Sequence, residues 1–185
     1  MDHSLTPGPS VTVLLDRVCF KSKPGNAGLG AITNRLKAAD PVTLSASDFA
    51  EAIRRGQAWC GALYDTKPKD WRNPARRQVL ALDFDGEPTY LDPLDALERC
   101  TKLGHEPLML YTTFSHTDEH PRFRIVFRLE PEYSPRDFSD GYSRVLLHDF
   151  PEADQVTGNA NRIFLGSGGE VWPCWPVYCA EGGAA

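Results

Sequence analysis

The chain lacks several features that mark special classes of protein. Its 185 residues include no apolar run long enough to cross a bilayer, and the first ten residues have neither the basic region nor the apolar core of a signal peptide. The cysteines are five in number and irregularly spaced, so we expect reduced thiols and a cytoplasmic protein rather than a disulfide framework. The net charge is −5, so the surface as a whole is not typical of nucleic-acid binding. Local clusters of cations would have to provide any such contact.

Strand and helix signals are both present, and they mix irregularly along the chain. Segments typical of strands cover residues 11–15, 78–84, 107–113 and 122–130, and segments typical of helices cover 45–56, 92–104 and 134–150. Ser45 and Asp92 are the expected N-caps of the first two helices, which should end at Gly56 and Gly104. The glycine-rich segment 21–31 is predicted to be a mobile loop; it could cradle phosphate, although it lacks the Walker pattern. This irregular order predicts an α+β fold rather than a doubly wound one.

Two carboxylates one residue apart end the apolar strand in LALDFDGE. In an extended strand, the spacing of Asp83 and Asp85 puts both side chains on the same face. Two like charges held close together are unfavourable unless a counter-charge neutralises them. A divalent metal ion is the usual counter-charge, so the pair predicts a metal site.

The segment RFRIVFRL predicts a strand with one apolar and one cationic face. Its apolar residues alternate with a row in which three of four side chains are arginines: Arg122, Arg124 and Arg128. The fork of an arginine matches the geometry of phosphate oxygens. Alone, such a row is more often structural, but beside a carboxylate pair it favours a phosphate site.

The loop SHTDEH, between two predicted strands, supplies a serine and two histidines. Ser115, His116 and His120 lie next to the arginine strand, where imidazoles are suited to handling anions or protons. Zinc binding by the two histidines is disfavoured, because Pro121 argues against the helix that their spacing would need.

A further aspartate precedes a turn of glycine and asparagine near the C-terminal end. Asp154, as a third carboxylate, would complete an octahedral oxygen site for magnesium or manganese. Capping of the turn is the alternative role for this residue. Arg162 is a further cation in the same area.

A cluster of cations surrounds a tryptophan in the segment KPKDWRNPARR. One anion, Asp70, stands against five cations, which gives a local charge of +4: Lys67, Lys69, Arg72, Arg76 and Arg77. A basic loop that contains Trp71 could follow a nucleic-acid backbone and stack on a base. A solvated loop without a partner is an equally good interpretation.

Together these segments supply carboxylates, imidazoles and arginines on neighbouring strands, a set suited to phosphoryl or nucleotidyl transfer. Asp83 and Asp85 would ligate metal ions, one of which lowers the pKa of an attacking 3′-hydroxyl. The arginines and histidines would hold the β and γ phosphates and stabilise the developing charge.

The set LALDFDGE … YTTFSHTDEHPRFRIVFRL … D resembles the primase-polymerases of the archaeo-eukaryotic primase superfamily, especially the plasmid and phage replication members. The likeness covers about residues 45–167. Asp83 and Asp85 match the first motif of that family. SHT followed by RFR looks like the second, with His116 as the nucleotide-phosphate contact, and Asp154 is the candidate for the third.

The resemblance implies a catalytic core built around an RRM-like sheet, which uses Mg²⁺ or Mn²⁺ to incorporate nucleoside triphosphates on a single-stranded or primed DNA template. A helicase, in the same full-length protein or in trans, is a further implied partner. We expect residues 1–10 to be flexible and residues 11–185 to form one catalytic domain. Within it, an N-terminal module would cover about 11–78 and the catalytic sheet about 79–170.

The second motif departs from the family pattern at one point. Ser115 and His116 are adjacent, whereas the family separates the two residue types by one position. His120 is therefore a rival for the role of the histidine. Ser115, both histidines, Arg122, Arg124 and Arg162 are the expected nucleotide-binding residues.

Two other functions compete with this interpretation. A phosphatase of the haloacid dehalogenase kind would use Asp83 as nucleophile and Asp85 as general acid/base, since LALDFDGEPT is close to its D-x-D-G-T motif. Against it, Glu87 takes the threonine position, and too little chain follows for a doubly wound domain. The non-enzymatic alternative is a nucleic-acid-binding replication module that keeps the fold and has lost catalysis.

Overall fold

The structure, a computed structural model, describes residues 8–66, 69–85 and 91–175. In these ranges the helices are α1 Asn26–Ala38, α2 Ala46–Arg54, α3 Pro93–Leu103 and α4 Arg136–Asp149. The strands are β1 Ser10–Leu15, β2 Val42–Ser45, β3 Trp59–Cys60, β4 Ala62–Leu63, β5 Arg76–Arg77, β6 Val79–Phe84, β7 Pro107–Thr112, β8 Phe123–Arg128, β9 Ile163–Phe164 and β10 Val171–Pro173. Short 3-10 helices cover Pro131–Tyr133 and Gln155–Gly158.

The strands form two antiparallel sheets of four strands and a small ribbon. Sheet I has the order β2-β1-β3-β9, sheet II the order β10-β7-β8-β6, and β4 pairs with β5. In sheet II the register places Arg124 of β8 opposite both Asp83 of β6 and Tyr111 of β7. The prediction of an α+β fold is confirmed.

Sheet II is covered on both faces. On one face Leu82 and Ile125 pack against α3 and α4, in a cluster with Ala96 and Leu146. On the other face Val126 belongs to a second cluster, which contains residues of α2, β1 and β3. The sheet is therefore the middle layer of the molecule, between a pair of helices and sheet I.

The arginine row of β8 lies on the face toward sheet I, and this differs from the sequence prediction of a plainly cationic face. Because side chains alternate along a strand, Asp83 and Arg124 point to the same side as Val126, which is fully buried. That side is a second core face, packed on apolar residues of sheet I. The predicted site thus lies at the boundary between the two sheets.

The predicted helix caps are present. Ser45 Oγ accepts a hydrogen bond from the backbone N–H of Asp48 at 3.1 Å, and the Asp92 carboxylate accepts one from the first turn of α3 at 2.7 Å. Gly56 and Gly104 follow α2 and α3 with φ values of +82° and +74°, a conformation that glycine adopts without steric penalty. Local side-chain chemistry therefore sets both helices.

The sequence predicts a loop over residues 21–31, but α1 begins at Asn26, so this prediction is wrong for its second half. The later turns of the helix bury Ile32 and Leu36 in a cluster with Leu14 and Cys60. Burial of this apolar side outweighs the low helix propensity of the glycines in the first turns.

The two predicted modules share a sheet. β9 comes from the predicted catalytic sheet and pairs with β3 of the predicted N-terminal module, so the two modules are joined within sheet I. Residues 1–7 of the predicted flexible terminus lie outside the described residues. Ser10, the last residue of that predicted segment, already belongs to β1.

The described ranges bear on two sequence expectations, the lack of a membrane-spanning segment and the reduced state of the cysteines. No helix in these ranges is both long and apolar enough to cross a membrane. The cysteines there are free thiols, and burial raises the pKa of Cys60 and of Cys100 to about 12. Neither thiol is therefore an activated nucleophile.

Candidate active site

A small cavity lies where the carboxyl end of β6 meets the loop after β7 and the start of β8. It encloses about 30 Å³, which is more than one water molecule needs and too little for a base or a ribose. Segments that are far apart in the sequence contribute to its lining, among them Lys23, Asp85, Ser115, Arg122, Arg124 and Leu165. The structure therefore brings one aspartate, the serine and two arginines of the predicted site to a single place.

Asp83 is buried in an ion pair with Arg124, its partner across β6 and β8. The Asp83 side chain is 2% exposed and that of Arg124 11%. Arg124 Nη2 donates to Asp83 Oδ2 at 3.0 Å, and Arg124 Nε lies 3.0 Å from Oδ1 without hydrogen-bond geometry. Burial raises the pKa of Asp83 above its ordinary value, and the charge of Arg124 opposes that rise. Because Nε lacks hydrogen-bond geometry, Oδ1 accepts no hydrogen bond from the described residues.

Several groups of the core between the sheets fix the Arg124 guanidinium. Its Nη1 donates to the Leu165 carbonyl at 2.8 Å and to the Tyr111 hydroxyl at 3.3 Å. That hydroxyl donates to the same carbonyl at 3.0 Å and accepts from Trp59 Nε1 at 3.2 Å. The guanidinium also lies 5.5 Å from the ring centroid of Phe164. Arg124 is thus a rigid group that orients its carboxylate partner.

Asp85 is exposed and lines the cavity, two residues beyond the buried Asp83. After burial and the opposing effect of Arg124, the charge of Asp85 is a further contribution that raises the pKa of Asp83. The two carboxylates therefore interact, as their spacing predicts, but one is in the core and the other is in solvent.

Asp154 lies beside this pair, and its backbone makes the contact. Its N–H donates to the carbonyl of Asp83 at 2.8 Å. Its carboxylate accepts from the N–H of Val156 at 2.9 Å and lies 3.4 Å from Nη2 of Arg162. The Asp154 side chain therefore caps the following turn, which is the alternative role that the sequence offers. Arg162, which the sequence puts in the same area, contacts this carboxylate.

A magnesium or manganese ion stays a prediction, which the donor atoms fit in part. Within residues 8–66, 69–85 and 91–175, no group of three or more Asp, Glu, His or Cys is arranged to hold a metal ion. Mg²⁺ commonly takes only one or two protein carboxylates and completes its shell with water and substrate phosphates. Oδ1 of Asp83, which lacks a donor, and the exposed Asp85 are hard oxygen ligands of that kind.

The two histidines of the polar loop differ in how they are held. His116 Nδ1 accepts from the backbone N–H of Arg122 at 3.1 Å, which ties the ring to the start of β8. In the neutral ring, Nε2 then carries the proton and is the free donor. His120 is exposed, and its backbone pairs with Thr117 in a turn. The geometry therefore favours His116 as the histidine of the site.

The arginines at the two ends of β8 have different surroundings. Arg122 lines the cavity, and its Nε is buried without a hydrogen-bond acceptor in the described part of the chain. At the other end of the strand, Arg128 donates to the carbonyl of Ser10 at 2.7 Å and pairs with Glu130. Arg122 is available to a ligand, whereas Arg128 joins the two sheets.

Arg77 does not belong to the surface, contrary to the prediction that it contacts nucleic acid. It is buried, and its guanidinium donates to the carbonyls of Ser139 and Gly158 and to Asp140, each at 3.2 Å. Burial lowers its pKa below the ordinary arginine value. Arg77 thus joins β5 to α4, and a count of charges in the sequence gives no sign of this.

The other residues of the basic segment are more accessible. Arg72 is exposed, and Arg76 is exposed with its Nη2 3.5 Å from Asp65. Lys69 donates to a backbone carbonyl after α1, and Trp71 stacks on Tyr64 with ring centroids 5.6 Å apart. Lys67 lies outside the described residues. One face of the Trp71 ring is therefore already covered.

Sequence reasoning missed two groups at the cavity. Lys23 comes from the segment that was predicted to be a mobile loop and considered as a phosphate cradle, without this residue being named, and the Leu165 carbonyl comes from the chain after β9. A lysine near glycines was the only available signal for the first, and a backbone carbonyl leaves none.

Comparison with known proteins finds no family model that matches the chain, and no curated protein or solved structure that is significantly similar to it.

Proposed function

We propose that the chain is the catalytic domain of a primase-polymerase, which transfers nucleotides from a nucleoside triphosphate to a 3′-hydroxyl on a DNA template. The observation that carries the proposal is the register of β6 and β8. It sets Asp83 opposite Arg124, at the end of the sheet where Asp85 and Arg122 line one cavity. Carboxylates and arginines gathered in this way are the groups that phosphoryl transfer requires.

The order of the elements supports the first part of an RRM-like core, whereas the last strand, β10, pairs with β7 and not with β6 as that fold would have it. Along the chain β6, α3, β7, β8 and α4 follow one another, and β8 lies between β6 and β7 in sheet II. This is the order of a split βαβ unit with a further helix. Both helices contribute to the apolar cluster on one face of the sheet, and the site lies at the end of the opposite face, where that face meets sheet I.

The charged residues at and beside the cavity, together with His116 of the neighbouring loop, have roles in the proposed reaction. Mg²⁺ or Mn²⁺, held by Asp83 and Asp85, would neutralise phosphate charge and lower the pKa of the attacking hydroxyl. Arg122 and the Nε2–H of His116 donate to phosphate oxygens, where negative charge increases as pyrophosphate leaves. Arg124 keeps the Asp83 carboxylate in its orientation. Asp154 is the third candidate ligand, and its carboxylate already contacts the N–H of Val156 and Arg162.

The template contact is assigned to the exposed cations of the basic segment, Arg72 and Arg76, and no longer to Arg77. Contacts of this kind release counterions, so template affinity should fall with salt. Trp71 stacks on Tyr64, and Lys37 Nζ lies 5.8 Å from its ring centroid, so Trp71 is less suited to base stacking than the sequence indicates.

Specific observations bear on the two competing functions. β6 pairs antiparallel with β8, whereas a doubly wound phosphatase needs parallel neighbours for the strand that carries its nucleophile. Glu87, which weighs against the phosphatase motif, lies outside the described residues. The module without catalysis is favoured by the engagement of the Asp154 carboxylate in its cap.

A primer-extension assay separates these functions. The protein is incubated with a primed template, labelled deoxynucleotides and Mn²⁺, alongside the double variant Asp83→Ala, Asp85→Ala and the control Asp137→Asn, which changes an exposed acid that does not line the cavity. We expect extension by the wild type and the control, and none by the double variant. Extension that survives the double change would remove the metal-site hypothesis. Release of phosphate without extension would favour the phosphatase, and binding of single strands alone would favour the inactive module.

A further inference from the structure

Lys23 reaches the cavity from outside the sheet that carries the other site residues. It lies in the connection between β1 and α1, and it lines the cavity together with Asp85, Ser115 and Arg122. Its side chain is exposed and makes no hydrogen bond or ion pair with the described residues. A cation that lines a cavity and has no hydrogen bond or ion pair with the described residues is available to an anionic ligand.

The connection that carries Lys23 is fixed to the body of the protein. Close to Lys23, the carbonyl of Phe20 lies so near to Gly56 that a Cβ on that glycine would be 1.9 Å from the carbonyl oxygen. This close approach, which only glycine permits, seats the connection on the end of α2. The connection is therefore anchored three residues before Lys23.

The charges around the cavity leave a cationic excess. Arg124 is neutralised by Asp83, so the cations without a carboxylate partner are Lys23 and Arg122, and they face one exposed acid, Asp85. The Nε of Arg122 is buried and has no acceptor among the described residues. A buried guanidinium nitrogen is unfavourable unless a ligand supplies the missing acceptor.

The size of the cavity limits which part of a ligand can enter. A volume of about 30 Å³ suits a group of a few atoms, such as one phosphate, and leaves a nucleoside outside. We infer that Lys23 and Arg122 together bind the terminal phosphate of the incoming nucleoside triphosphate, and that Lys23 gives the site its preference for triphosphates over monophosphates. This inference rests on the proposed function, and it adds a residue from the N-terminal part of the chain to the site.

Competition titrations test the inference. A fluorescent deoxynucleoside triphosphate bound to the protein is displaced by dATP, dADP or dAMP, in the wild type, Lys23→Gln, Lys23→Arg and the control Lys21→Gln. Lys21 is an exposed lysine of the same connection that does not line the cavity. Thermal unfolding of each variant verifies that the fold is kept, which we expect because both lysines are exposed.

We expect Lys23→Gln to weaken dATP about tenfold and dAMP by less than about twofold, since one charged phosphate contact is lost from the triphosphate alone. Lys23→Arg should restore most of the dATP affinity, and Lys21→Gln should behave as the wild type. An equal loss for all three nucleotides, or none, would overturn the inference while leaving the proposed function in place. If the wild type bound no nucleotide, the proposed function itself would fail. A 5′-phosphorylated oligonucleotide that displaced the probe as well as dATP does would assign the phosphate site to a strand end and overturn the inference.

Discussion

Asp16 near the end of β1 and Asp83 near the end of β6 are both buried aspartates paired with an arginine, but their pairs are built differently. Asp16 Oδ1 accepts from Arg35 Nε at 2.8 Å and from the N–H of Val18 at 3.1 Å, and Oδ2 accepts from Arg35 Nη2 at 2.7 Å. Asp83 has one hydrogen bond, from Arg124 to Oδ2. Both oxygens of Asp16 accept hydrogen bonds, whereas Oδ1 of Asp83 lies in ion-pair contact with Arg124 Nε at 3.0 Å and accepts no hydrogen bond among the described residues.

The difference distinguishes a structural pair from a pair in a site. Oδ1 of Asp83 is buried beside the guanidinium without accepting a hydrogen bond, which is less favourable than the complete set of hydrogen bonds around Asp16. The Asp83–Arg124 pair also lies next to the exposed Asp85 and to a cavity lined by two further cations, Lys23 and Arg122. The Asp16–Arg35 pair joins β1 to α1, and neither of its residues lines the cavity.

The largest expected effect comes from changing the incompletely bonded pair. Asp83→Asn keeps an oxygen for Arg124 and removes the negative charge that would hold a metal ion. We expect primer extension in Mn²⁺ to fall by at least about 10³-fold, which corresponds to the loss of several kcal/mol of transition-state stabilisation. Circular dichroism should show an unchanged helix content. A variant that extends primers at the wild-type rate would place Asp83 in the same class as Asp16.

The matching change in the other pair should act on stability and not on the reaction. Asp16→Asn should lower the free energy of unfolding by about 2 kcal/mol, below the 3–5 kcal/mol typical of a broken buried pair, because the Arg35 side chain is 39% exposed and can reach water. Urea unfolding measures this change. Extension by the folded variant should stay within about threefold of the wild type, since the loss of one ion pair shifts no group that touches substrate. A loss of activity as large as that of Asp83→Asn would end the distinction.

The same contrast can be tested within β8. Arg122 has an Nε without an acceptor, whereas Arg128 is engaged by Glu130 and by the carbonyl of Ser10. Arg122→Ala should weaken nucleotide binding about tenfold, and Arg128→Ala by less than about twofold, because only the first cation is free to meet a phosphate. Nucleotide titration by fluorescence measures both. Equal effects would show that charge alone, and not the lack of a partner, determines binding.

The features that the sequence predicted well depend on neighbours along the chain. Ser45 and Asp92 cap their helices through N–H groups two or three residues away, and alternation along a strand follows from backbone geometry. The sequence also predicted that Asp85 and Ser115 belong to one site. That prediction came from the motifs that suit phosphoryl transfer, and not from neighbours along the chain.

The features that it did not predict depend on partners far along the chain. Arg77 and Arg76 are adjacent in one basic segment, yet β-pairing turns the first toward Asp140 and leaves the second exposed. The first turns of α1 form because Ile32 and Leu36 are buried later in the helix. Lys23 lines the cavity together with residues far along the chain, and the pattern of its own segment does not predict those neighbours.

A third arginine–carboxylate pair gives the smallest expected effect and tests whether burial is what matters. Arg99 holds Glu152 with hydrogen bonds of 2.8 to 3.0 Å, at the surface between α3 and the end of α4. The side chains are 31% and 19% exposed. Glu152→Gln should therefore lower the free energy of unfolding by less than about 1 kcal/mol at neutral pH, because water screens the pair.

The pH dependence of that third pair has a definite sign. The hydrogen bond from Arg99 lowers the pKa of Glu152 below its ordinary value, so the folded protein binds this proton less tightly than the unfolded chain does. The stabilisation is complete above the unfolded pKa and is lost as pH falls through the folded one. The difference between wild type and Glu152→Gln in urea unfolding should shrink as pH is lowered from 7 to about 3. The control Glu132→Gln changes an exposed acid, and it should show no difference from the wild type at either pH. If Glu152→Gln lowered the free energy of unfolding more than Asp16→Asn, burial would not determine how much these pairs stabilise the protein. The missing hydrogen bond at Asp83 Oδ1 would then no longer indicate a functional site.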